Sequence, residues 1–441
     1  MVETLKVLYR NFILLSALFI FISPITLILS IFYLDVLTPI QWGYVLLADV
    51  ITVSATDFLS GGLSDKIGRG KTYAISLSLY ALTYLVMGLN QTFIWLFIAM
   101  IINGLASAQN SGTIDVWFAN EYHRLGGKDF RSVMSKVFAM NILVLIPAYI
   151  AIPYIAEELG FPTLFFIIAG ICFVISLLAV PLMQEPSYNE SGEEDDETPS
   201  YFSILKNGLT TVFHDANLRN LTFFAVVMAV ITGITTEIYF TPEFVNVGLK
   251  LSQVGYPRII TAAIGVFISL RYSKIFGSRR IHNQYKMYQQ WKLDNPDEEE
   301  IPEQFIGMSD DKPKFVSSKR LMIITSIVLP LLFIIFYVLA GFNPSLNLAL
   351  IFVGFFILYA IVRRIALIAY TSYHNSVIAQ TPQFSSSIKS FSSTLNSLFV
   401  GIGYMLSTLL IKEVSFSSVA LLLAGVAAVG ILFALLTEDD E

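Results

Sequence analysis

Twelve apolar runs recur along this chain, at about 11–34, 42–63, 72–91, 93–118, 134–156, 162–184, 219–241, 253–273, 320–341, 346–370, 386–411 and 416–437. Each has the length, about 20 residues, that an α-helix needs to cross a hydrocarbon core of about 30 Å. Lipid offers no hydrogen bonds to the backbone, so such a run satisfies its amides internally, as a helix. A membrane barrel would instead show short alternating segments. Only 14% of the 441 residues are charged and 55% are hydrophobic, whereas a soluble domain carries about 25% charge. The expected fold class is an all-α polytopic membrane protein with twelve transmembrane helices.

Charge orients the spans. With the N-terminus inside, all of the 27 Lys and Arg except Lys250, Arg258 and Lys412 fall on the cytoplasmic side or at its helix ends. The positive-inside rule then places both termini in the cytoplasm, including the acidic tail Glu438-Asp439-Asp440-Glu441. The first apolar run follows Glu3, Lys6 and Arg10 without a small-residue cleavage site, and reads as a retained helix of a multi-pass cell-membrane protein. Cys172 is the single cysteine, which excludes an intramolecular disulfide and argues against a cysteine-ligated metal site.

Residues 185–218 separate six spans from six. Their acidic run Glu190–Glu197 has too few apolar groups to fold. Beyond it, Phe202, Leu205, Leu209, Val212 and Phe213 recur at helical spacing and predict an amphipathic helix at the cytoplasmic interface. The organisation expected is a six-helix bundle over 1–184, a linker over 185–218 and a second bundle over 219–441. The second bundle carries a charged cytoplasmic insertion at about 280–319, expected to lack structure and to be removable over 284–315.

Between the second and third spans stands Gly61-Gly62-Leu63-Ser64-Asp65-Lys66-Ile67-Gly68-Arg69-Gly70-Lys71, read as a tight charged turn at a membrane face. Its pattern G-x-x-x-D-K-x-G-R-x-K, carried by Gly61, Asp65, Lys66, Gly68, Arg69 and Lys71, resembles the signature loop of the major facilitator superfamily of secondary transporters. After the eighth span, Ser273-Lys274-Ile275-Phe276-Gly277-Ser278-Arg279 echoes Asp65–Arg69 with one insertion and Ser for Asp. Span count, midpoint linker and echoed motif match the two pseudo-symmetric six-helix bundles that the resemblance implies. The chain departs from the proton–drug antiporters of that family. Met100 stands four residues before Gly104 where many proton-coupled members have arginine, Asn103 stands where glutamine is usual, and Pro147 and Pro153 lack the glycine-proline antiporter signature.

The resemblance implies a cytoplasmic gate. Gly61, Asp65 and Arg69, with Asp115 at the end of the fourth span, would latch that face against the eleventh helix, which begins near Ser385-Ser386-Ser387. The positive end of that helix suits an aspartate. Against this stands a bland role in topology and solubility.

Intramembrane acids are costly and are usually paired, cavity-facing or functional. Asp57 belongs with the gate, while Asp49 and Glu237 are candidates for coupling transport to protons, or for plain interfacial acids. Candidate cavity residues are Ser23, Thr26, Thr232, Thr235 and Asn396, each with a helix–helix hydrogen bond as its alternative use. Arg363 and Arg364 interrupt the tenth span and point about 100° apart, so one at most faces the cavity centre. An arginine there suits a carboxylate or phosphate, and snorkelling to the interface is the competing reading. Phe21, Trp117, Tyr239 and Tyr359 are aromatic candidates among which periodicity does not choose.

No nucleotide loop, metal-spaced cluster or catalytic dyad is present in the sequence. The reading is a non-enzymatic, cofactor-free and monomeric transporter of a small solute, working by alternating access with protons as coupling ion, in a lipid bilayer and without nucleic acid. A non-transporting sensor or scaffold on the same fold is the alternative, and a drug or metabolite exporter is the alternative within transport. The latch is directly testable. Asp65→Asn should move the resting population towards the inward-open state by about 0.3–2 kcal/mol, the value of one charge at a helix end. Distances between cytoplasmic labels on the two halves report it, and an unchanged distribution rules the latch out.

Overall fold

The computed structural model describes residues 2–111, 113–127, 130–183, 201–276, 279–294, 316–378 and 385–438. Helices make up its regular structure, and the described residues contain no strand. The first span is α1 (Val2–Ile22) and α2 (Thr26–Val36), joined by a 3-10 turn at Ser23-Pro24-Ile25, where proline removes a backbone donor. Then come α3 (Pro39–Ile67), α4 (Arg69–Leu89), α5 (Phe93–Asn110) with the short α6 (Thr113–Arg124), α7 (Phe130–Leu159) and α8 (Phe161–Leu182). The linker helix α9 (Tyr201–His214) precedes α10 (Ala216–Ile234), whose first turn is capped by the Asp215 side chain. A π-helical turn at Thr235–Tyr239 leads into α11 (Phe240–Asn246). The second half closes with α12 (Gly255–Phe276), α13 (Arg279–Asp294), α14 (Ser318–Ala340), α15 (Leu346–Ile378), α16 (Ser385–Glu413) and α17 (Val419–Leu436). Eleven spans are long and apolar enough to cross a membrane, and α3, with 29 residues, completes a twelve-helix architecture.

Within lipid there is no hydrophobic drive to press helix on helix, so close packing and short polar bonds do that work. In the first half α4 is tied to its neighbours by hydroxyls. Ser76 Oγ donates to the Ala106 carbonyl at 2.8 Å, and Ser78 and Ser176 share a 2.8 Å bond. In the second half Asn220 reaches the Leu436 carbonyl at 2.7 Å and Asn217 the Tyr373 hydroxyl at 2.9 Å. An aromatic cluster of Phe240, Phe244, Phe336, Phe352, Phe356 and Tyr359 joins α11, α14 and α15.

The halves meet along α3 with α16, α7 with α12, and α2 with the π-helical turn and α11. The named contacts lie in the half of the bundle away from both chain ends. Gly43 sits under Thr408 and Met405, and Gly255 lies so close to the Tyr149 carbonyl that a Cβ would collide with it. Beside that crossing the Glu157 carboxylate accepts a hydrogen bond from the Ser252 amide.

Three expectations change here. Gly61–Ile67 does not form a turn; it continues α3, and Gly68 alone reverses the chain at φ 91°. Keeping amides paired outweighs the roughly 1 kcal/mol per residue that glycine costs a helix, and the left-handed position that ends it suits only glycine. The fourth span is broken near its cytoplasmic end, where α5 ends at Asn110 and Asp115 lies exposed in the first turn of α6. The insertion is not wholly irregular: α13 occupies 279–294, with Tyr288 only 5% exposed. Residues 295–315 and the acidic run 190–197 lie outside the described residues. The amphipathic α9 is as expected, with Val212 buried and Phe213 near the rings of Phe223 and Phe391.

The insertion leaves and rejoins the bundle at one point, since the Val316 amide donates to the Phe276 carbonyl at 2.8 Å. Replacing 277–315 by a short Gly-Ser linker should therefore give inserted, monodisperse protein in detergent chromatography. Aggregation would show that α13 is needed to hold the bundle.

Candidate functional site

A cavity of about 150 Å³ lies at the seam between the halves. The first half lines it with Thr26, Leu29 and Tyr33 of α2, Leu46 and Asp49 of α3, Thr83, Tyr84 and Met87 of α4, and Met100 and Asn103 of α5. The second half contributes Glu237 from the π-helical turn and Tyr404 from α16. Two carboxylates from opposite halves thus face one enclosure.

Each acid has a local cause for its position. Asn103 Nδ2 donates to Asp49 Oδ1 at 2.9 Å, which orients the carboxylate. This bond depends on close approach of α5 to α3 at the next residue. A Cβ on Gly104 would lie 2.8 Å from the Asp49 carbonyl oxygen and 2.7 Å from Thr52 Cβ. Glu237 owes its direction to the π-helical turn, a device that re-aims side chains and is common at functional sites. There, Thr235 turns towards α15 and shares a 2.9 Å bond with the Tyr359 hydroxyl, while Glu237 turns to the cavity.

The remaining candidates divide. Thr26 lines the cavity, whereas Ser23 is exposed and bonds back to the Ile20 carbonyl. Thr235 is consumed by helix–helix bonding, and Thr232 is half-buried beside it. Asn396 is half-buried, with an Oδ1 that is buried and has no hydrogen-bond partner. Arg364 bridges α15 to α12 through Ser269 Oγ at 2.8 and 3.0 Å, while Arg363 is half-buried on the same helix. Trp117, Tyr239 and Tyr359 are core residues, at most 1% exposed. The aromatic cavity wall is instead Tyr33, Tyr84 and Tyr404. Arg69 opens α4, Gly61 lies within α3, and the side chains of Asp57 and Asp65 lie outside the described residues.

Three participants were not picked out as site residues. Asn103 and Met100 drew notice in the sequence only as departures from a pattern, and Tyr33, whose hydroxyl meets Met100 Sδ at 3.3 Å, had no signal at all. Arg258, counted with the outer-face charges, lies with its guanidinium Nε and Nη2 buried.

The family model for the Major Facilitator Superfamily matches residues 11–283, more than half of the chain. The chain belongs to that superfamily. It is therefore a multi-pass membrane transporter and not an enzyme. A search of curated proteins by sequence finds no match. Solved superfamily structures share the fold. The nucleoside transporter NupG aligns over 98% of this chain and 99% of its own, with TM-score 0.70 and 15% identity. An auto-inhibited peptide transporter of the POT family aligns over 98% and 95%, with TM-score 0.61 and 14% identity. A bacterial homologue of the human lysosomal transporter Spinster, described as inward-facing and unoccupied, aligns over 98% and 94%, with TM-score 0.60 and 12% identity.

The α3–α5 crossing makes a paired prediction. Gly104→Ala should destabilise the transporter by about 1–3 kcal/mol, the usual cost of overpacking. Gly265→Ala, with no atom within 4 Å of the new methyl, should be neutral or stabilising, because alanine favours helix. Thermal melts in detergent compare them, and equal midpoints would mean that α3 and α5 are further apart.

Proposed function

We propose that this chain is a secondary transporter of a small polar solute, working by alternating access and coupled to protons through Asp49 and Glu237. The observation that carries the reading is the pair of carboxylates, one from each half, on a single cavity at the seam. Two like charges facing a low-dielectric enclosure repel, so a proton or a cationic group is the natural third occupant. If the halves rock apart, water reaches the acids and their proton affinity changes. A ligand that binds the two states differently is what drives the equilibrium between them.

The polar wall supports transport over the sensor or scaffold reading, which an apolar cavity would have favoured. The fold is shared with proton-dependent oligopeptide transporters and with a nucleoside transporter, both carriers of polar solutes. With both termini cytoplasmic, as the charge distribution implies, closure at the end remote from them corresponds to an inward-facing state. The gate residues Gly61, Asp65, Arg69 and Asp115 would engage when the cytoplasmic side closes.

Neutralising the coupling acid should abolish gradient-driven accumulation while leaving solute exchange largely intact. Asp49 is the first choice, because Asn103 already holds its carboxylate in place. Reconstituted vesicles screened by counterflow identify a solute, and an imposed pH difference then tests accumulation. Asp49→Asn protein that still concentrates the solute removes Asp49 from this role, and the same result for Glu237→Gln removes proton coupling by this pair.

A further inference from the structure

Arg258 has no part in the scheme above, yet its placement is unusual for a membrane helix. It stands in the first turn of α12, one turn from the membrane face in sequence, and is half-buried there. The guanidinium carbon lies 5.2 Å from the centre of the Phe356 ring on α15. Nε and Nη2 are both buried and neither has a hydrogen-bond partner. Those two atoms form the edge with which an arginine grips both oxygens of a carboxylate or phosphate at once.

The groups that act electrostatically on Arg258 are Tyr149 of α7, Arg363 and Tyr359 of α15, and Glu237 of the π-helical turn. None of them satisfies the open edge. The Tyr359 hydroxyl is already bonded to Thr235. Glu237 also faces the seam cavity and Asp49. Arg363 is a second cation, and two cations brought together in a low-dielectric interior repel unless an anion joins them. Arg364 differs from both, since its donors are engaged by Ser269. A desolvated donor left unmet is costly, and a buried charge without a partner more so. The open edge suits an anionic group with two oxygens, such as a carboxylate or phosphate.

We propose that the open edge of Arg258 forms an anion subsite that takes the carboxylate or phosphate group of the solute, with Arg363 adding to its positive field. The inference rests on the transport reading for its solute and narrows that solute to an organic anion or a zwitterion. In a zwitterion the cationic end would face Asp49 and Glu237, and the anionic end the two arginines.

The test uses the purified full-length protein in detergent and three probes: benzoate, phenyl phosphate and the uncharged benzamide. Titration by calorimetry or thermal shift should show saturable binding of benzoate, of phenyl phosphate or of both, and none of benzamide; the better ligand distinguishes a carboxylate site from a phosphate site. Arg258→Gln should weaken binding about tenfold or more, as loss of a charge-assisted contact does, with Arg258→Lys intermediate because it keeps charge without the fork. Arg363→Gln should weaken the same ligand and serves as the second variant if Arg258→Gln does not remain monodisperse. Binding of benzamide equal to that of the anions, no binding of either anion, or undiminished anion affinity in both glutamine variants would overturn the subsite. Binding in detergent needs no alternating access, so its failure leaves the transport reading standing. Intact anion binding with failed counterflow would remove transport and keep the subsite.

Discussion

A backbone amide in hydrocarbon has no water to bond, and the rest of this structure depends on that fact. It forces the apolar runs into helices and keeps α3 helical through Gly61-Gly62, where a soluble chain would have turned. It also explains why polar groups inside the bundle such as Ser76, Ser78 and Asn220 bond across helices, while Asp49, Asn103 and Glu237 face the enclosure at the seam. A membrane helix has a large apolar surface to give to lipid and little room for polar atoms, so position matters more than number.

The seam is where this constraint becomes function. Helices of the two halves approach closely at Gly43 and Gly255, away from the termini, and the cavity at the seam gathers acids from both halves. In the proposed alternating-access scheme, residues at the boundary of the two halves are the ones whose surroundings would change between states. Asp49 and Glu237 stand on that boundary, and so does Arg258, held on α12 beside α7.

Legibility in the sequence followed the range of the interaction. The twelve spans, the amphipathic α9 and the family motif were readable because each is a local pattern of hydropathy or spacing. Asp49 and Glu237 were readable because an acid within an apolar run is conspicuous. Asn103, Tyr33 and Tyr404 were not, since an amide or a tyrosine in a membrane helix has many ordinary uses. For Thr235 the sequence left cavity lining and helix–helix bonding both open, and the π-helical turn, which no short-range pattern announces, goes with the second. For Arg258 the sequence marks only the outer end of a span, and its contact with the Phe356 ring comes from another helix.

By itself the sequence determined the solvent, the all-helical class, the number of spans and the superfamily, because hydrophobic length and a short glycine-rich motif are properties of contiguous residues. Only the tertiary structure decided which acids share a cavity, which arginine is bonded and which is left open, and at which end the halves are closed. Those outcomes depend on contacts between residues far apart in the chain, as Asp49 and Glu237 are, and on helix approaches of a few ångströms that a single missing Cβ, as at Gly104, makes possible.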